Sequence, residues 1–179
     1  MKIKKIALLT TALALTLLLP SARLHAQAPE APSNLQAALA SDASKLSDKF
    51  AGLAGVMAAK YDWKPGAGVR SVGDVFNLIV MENNMLTGVL TNTPAQPGAR
   101  PAPITEPAKL QEALKTSYAN LAKAVNALTD SDLKTPVKLF GVDLTKQQAV
   151  MLLIGDQHEH LGQSIAYARV NGVVPPWSK

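Results

Sequence analysis

The chain has 179 residues, of which 47% are hydrophobic and 4% aromatic, with no cysteine and a formal net charge of +5. Without cysteine it has no disulfide, no CxxC zinc clasp and no thiol nucleophile of its own. The basic excess is concentrated at the start: setting aside Lys2, Lys4, Lys5 and Arg23 leaves 14 basic against 13 acidic residues, about +1, and removes the clustered positive surface on which nucleic-acid binding depends.

Lys2, Lys4 and Lys5 precede an apolar stretch from Ile6 to Leu19, Pro20 breaks it, and small residues follow at Leu24-His25-Ala26 and Ala26-Gln27-Ala28. That order predicts a secretory signal peptide over residues 1–26 and a periplasmic or secreted product. The apolar run falls short of the roughly 20 residues a spanning helix needs, so no stable membrane insertion is expected after cleavage. Residues 27–33, with Pro29 and Pro32, read as a disordered leader, and residues 34–179 as one domain with a single core.

Ser33 is placed to cap a first helix whose Leu35, Leu39, Ala43, Leu46, Phe50, Leu53 and Met57 step by three or four along one face. Tyr61 to Gly68 contains Pro65, Gly66 and Gly68 and predicts a loop. Ser71 caps a second helix with Val72, Val75, Phe76, Ile79, Met81, Met85, Val89 and Leu90 as its apolar positions. Five prolines and glycines between Thr91 and Pro103 exclude a helix or a central strand there and predict a surface loop. Glu106-Pro107 opens a third helix, with Leu110, Leu114, Tyr118, Leu121, Val125 and Leu128 as its stripe. Thr129 to Lys138 is turn-rich, with one short helical turn at Ser131 to Leu133. Thr145 caps a last helix that runs to Val170 and stops at Asn171-Gly172, burying Val150, Leu153, Ile154, Leu161, Ile165 and Ala168. Pro175-Pro176-Trp177 forms an extended tail, its indole placed to plug a groove at the bundle end. Four amphipathic helices and no alternating strand pattern predict an all-α four-helix bundle.

His25 falls in the export segment, which leaves His158 and His160 to act. At about 100° per residue the two imidazoles point roughly 200° apart and cannot hold one metal from an unbroken helix. Asp156 and His160, four apart, share a face: they can ligate one cation or form a hydrogen-bonded pair. A third ligand must come from another helix, and Glu82 on the second helix is the candidate. His158 reads as a solvated or interface residue. A phosphate-cradling Gly-rich loop and a Gly-x-Ser-x-Gly elbow are both missing.

The segment His158-Glu159-His160-Leu161-Gly162-Gln163-Ser164-Ile165-Ala166-Tyr167-Ala168-Arg169 and the ending Asn171-Gly172-Val173-Val174-Pro175-Pro176-Trp177-Ser178 resemble the C-terminal signature of DinB-like proteins. Arg70-Ser71-Val72-Gly73-Asp74-Val75-Phe76 resembles the start of that superfamily's second helix. The resemblance implies a four-helix bundle, often dimeric, with a divalent metal held by one histidine of the second helix and two of the last. It also implies kinship with metal-dependent transferases and isomerases that activate a small thiol. By this resemblance His160 matches the last ligand, Asp156 stands where the preceding histidine would, and Leu78 occupies the second-helix histidine position. An imidazole and a carboxylate alone predict weak zinc, nickel or manganese binding and no tightly bound metal unless Glu82 joins them. Two functions are therefore open: a metal-dependent thiol transferase or hydrolase using Asp156, His160 and Glu82, or a member with a degenerate site that binds a small molecule or a partner. A homodimer is compatible with either.

Overall fold

The computed structural model describes residues 34–93 and 101–178. The expected export segment, the leader and the Ser33 cap lie outside these residues.

Four helices, α1 (Leu35–Val56), α2 (Val72–Leu90), α3 (Pro107–Asn126) and α4 (Lys146–Val170), make the bundle. Each begins where the local chemistry allows it. Asn34 accepts the Ala37 N–H at the head of α1, one residue after the expected cap. Ser71 and Asp74 form a reciprocal capping box on α2, and Thr145 and Gln148 form another on α4. Glu106 precedes α3 with Pro107 in its first turn, where the missing N–H costs nothing.

The helices do not follow one another around the bundle in chain order. α1 packs against α3 and α4, α2 packs against the same two, and α1 and α2 face each other across the bundle diagonal. Hydrogen bonds between helices set the directions. Gln36 Nε2 reaches Leu128 O while Gln111 Nε2 reaches Ala51 O, so α1 and α3 run antiparallel. Lys146 Nζ donates to Leu90 O at 2.7 Å, and Tyr167 at the far end of α4 reaches Arg70 O, so α2 and α4 also run antiparallel. The buried Lys146 ammonium thus satisfies a carbonyl at the negative end of α2.

The core holds all six apolar positions predicted for α3. Phe50 stacks on Tyr118 at 6.1 Å and meets Phe76 edge-on, and Phe76 meets Tyr61 edge-on, so one aromatic cluster ties α1, α2 and α3 together. Gly73 lets α2 approach the Tyr61 turn: a Cβ there would lie 3.2 Å from Tyr61 O, the carbonyl that accepts the Gly73 N–H.

One feature departs from the purely helical expectation. The turn-rich segment contains a single 3-10 turn at Asp132–Lys134 and then a small antiparallel hairpin, β1 (Pro136–Leu139) and β2 (Val142–Thr145), with Leu139 opposite Val142. Phe140 and Gly141 both have positive φ, 51° and 80°, the two-residue turn whose twist suits a hairpin. The hairpin packs beside α2 and α4. Its strands are too short, and its turn too unlike Asn-Gly, to register in the sequence pattern.

The tail takes a different place from the one expected. Pro175 is buried, Pro176 lies over Gly52 of α1, and Trp177 stays 39% exposed with Lys49 Nζ 5.8 Å from its ring. The indole therefore lies beside Lys49, within the length of α1 and not at the bundle end.

Candidate metal centre

The facing middles of α2 and α4 carry the chemistry. Glu82 projects from α2, and Asp156 and His160, one turn apart on α4, project toward it; one ligand atom from each lies within 4.8 Å of the other two. Leu78, one turn before Glu82, lines the same cleft of about 360 Å3 together with Arg70, Phe140 and Leu152. Positions 78, 82, 156 and 160 therefore share one space, although only three of them offer a donor atom.

Glu82 is the unusual member. It is 4% exposed, and its Oε2 is buried with no hydrogen-bond partner among the described residues. Burial pushes its carboxyl up to about 7, the Asp156 charge adds to the rise, and Arg70 opposes it. A carboxylate costs most in a protein when it is both desolvated and unpartnered, so a proton on this group or a cation beside it is favourable.

His160 Nδ1 is met by a chain of side chains running from Tyr167 through Gln163. Tyr167 OH donates to Arg70 O at 3.4 Å, Gln163 Nε2 donates to the Tyr167 oxygen at 2.9 Å, and Gln163 Oε1 is thereby turned toward His160 Nδ1 at 3.0 Å. Nδ1 carries the proton in the neutral ring on this assignment, and Nε2 presents its lone pair to the cleft. In that tautomer the lone pair faces Asp156 Oδ2 at 3.5 Å, a pair of acceptors that a cation between them would make favourable. The donor set of one imidazole and two carboxylates fits a divalent cation.

Comparison with known proteins bears on this arrangement. A family model for the DinB superfamily matches residues 44–164, which span α1 to α4 and include Glu82, Asp156 and His160. The chain belongs to the DinB superfamily. Two solved DinB-like proteins share its fold: one from Bacillus subtilis, 19% identical with a TM-score of 0.64, covering 79% of this chain and 97% of its own, and one from Bacillus cereus, 19% identical with a TM-score of 0.62, covering 73% and 89%. No curated protein matches the chain.

In this DinB superfamily chain the remaining histidine lies apart. His158 Nε2 meets Asp42 Oδ2 of α1 at 2.9 Å on the exposed side of α4, as its i,i+2 offset from His160 requires. Gln157, next to His158 in sequence, points into the core, where its Nε2 donates to Asn83 Oδ1, and Asn83 Nδ2 donates to Ser117 Oγ. Gln163 and Tyr167 were legible as a run along the His160 face, Gln163 three residues after His160 and Tyr167 four after Gln163. Arg70 and Phe140 were not, because they come from a loop and a hairpin turn, whereas Leu152 stands one turn before Asp156 on the same face of α4.

Proposed function

We propose that this DinB superfamily protein holds a divalent cation between Glu82, Asp156 and His160, and that it is a metal-dependent hydrolase or thiol transferase. What carries the reading is the buried Glu82 Oε2: an unpartnered carboxylate oxygen beside a lone-pair-presenting imidazole is costly without a cation and favourable with one. A bound cation would supply Lewis acidity, lowering the pKa of a water or thiol so that a nucleophile exists near neutral pH.

The chain's own groups do the rest. Gln163 and Tyr167 orient His160 through Nδ1. Glu82, with its carboxyl at about 7 in the metal-free site, would bind the cation as the carboxylate and give up its proton on doing so. Leu78, Leu152 and Phe140 give the cleft an apolar wall. Two carboxylates and one imidazole shift the preference toward manganese, relative to a site built of imidazoles. We place this activity outside the cytoplasm on the reading of residues 1–26 as an export signal.

Calorimetric titration of EDTA-stripped protein with Mn2+, Zn2+ and Ni2+ tests the reading. Stoichiometric binding that is lost in H160A and kept in H158A is expected. Absence of binding heat and of any Tm change with all three ions would defeat it.

A further inference from the structure

A second cavity, of about 480 Å3, lies between α2, α3 and the segment Pro101–Ile104, a size suited to a small molecule. It meets the carboxylate and imidazole cleft at Arg70 and Leu78, which line both. Its outer wall is fixed in place: Asn77 Nδ2 donates to Ile104 O at 3.0 Å, and Asn77 Oδ1 accepts the Ile104 N–H at 2.8 Å, stapling the incoming segment to α2.

The polar groups in its lining are largely spoken for. Both amide atoms of Asn77 serve Ile104 and Gly73. Ser117 Oγ donates to Leu114 O and accepts from Asn83, and Asp74, exposed at the head of α2, accepts the Ser71 N–H through Oδ2 in the capping box. Thr116 and Asn84 are exposed at the edge. What is left for a ligand is an apolar bed of Leu78, Val80, Met81, Ala113 and Ile104, and one cation, Arg70, whose guanidinium makes no ion pair among the described residues. The Arg70 backbone carbonyl is anchored by Tyr167, so the side chain starts from a fixed point on the rim.

We propose that this cavity binds an amphipathic carboxylic acid, its apolar body lying along Met81 and Ile104 and its carboxylate taken by the Arg70 fork. A planar guanidinium accommodates both carboxylate oxygens at once, which a neutral head group cannot exploit. The acid end then faces the shared boundary with Glu82, Asp156 and His160. Binding itself needs no metal and does not rest on the proposed cation site.

The test is a titration of 13C-methyl-methionine-labelled protein in EDTA, followed by NMR, with octanoate and octan-1-ol as probes. The Met81 methyl should shift saturably with both, at least about tenfold tighter for octanoate. R70Q, a substitution at an exposed residue, should bring octanoate to the level of the alcohol, and H158A, on the far side of α4 beside Asp42, should change neither. No saturable shift at Met81, equal affinity for acid and alcohol, or an unaltered preference in R70Q would each overturn the proposal. Because metal is absent throughout, a failed cation reading leaves this result standing, and the reverse also holds.

Discussion

Replacing Glu82 by glutamine in EDTA-treated protein should stabilise the fold, and should do so more as the pH rises. The folded carboxyl titrates at about 7 against an ordinary 4.5 because burial and Asp156 disfavour its charge. Between those values the folded protein keeps a proton that the unfolded chain has released, so stability falls with rising pH across the window and levels off above it. The penalty grows from under about 1 kcal/mol at pH 5 to about 3 kcal/mol at pH 8.5, where the group is ionised in both states. A glutamine side chain keeps the size and carries no charge, so E82Q escapes that penalty. At about 3 °C per kcal/mol for a domain of this size, its Tm should exceed that of the wild type by roughly 6 to 9 °C at pH 8.5, and by no more than about 3 °C at pH 5. Differential scanning calorimetry at the two pH values measures both differences. Manganese or zinc should then reverse the order at high pH, raising the wild type while leaving E82Q nearly unmoved. Parallel pH profiles for the two proteins in EDTA, or an E82Q variant less stable than the wild type at pH 8.5, would refute the assignment of a desolvated, unpartnered carboxylate.

L78H should add a fourth donor to the cleft, because position 78 already lines it beside Glu82; calorimetry should show zinc or nickel affinity rising by more than about tenfold. F140N should stabilise the hairpin: Phe140 sits at φ 51°, which costs a bulky side chain about 1 kcal/mol, whereas Asn-Gly suits this turn. Urea unfolding should show the gain as a higher midpoint at unchanged slope, and a lower midpoint would show that the exposed ring contributes contacts worth more than the strain.

Much of this protein is local physics and can be read without coordinates. Leu110, Leu114, Tyr118, Leu121, Val125 and Leu128 recur at helical spacing, and every one of them is buried, because a stripe of that period has nowhere else to go when four helices pack. Ser71 and Thr145 cap α2 and α4 because their side chains answer N–H groups only three residues away. The separation of His158 from His160 likewise follows from the helix repeat alone. The four residues of each hairpin strand carry too little periodicity to be heard above the turn signals around them.

What the sequence by itself determined, then, is which residues form helices, which face of each is apolar, and that Asp156 and His160 stand together. That Glu82 meets them, that Leu78 looks into the same space, and that Arg70 stands at the boundary of two cavities were decided by the tertiary structure. The reason is physical: spacing along one helix fixes neighbours within it, whereas partners on α2 and α4 are set by how two antiparallel helices slide and rotate as their side chains interlock. The burial that pushes Glu82 up to about 7 belongs to that same packing, since a carboxyl acquires such a property only when the rest of the chain has closed over it.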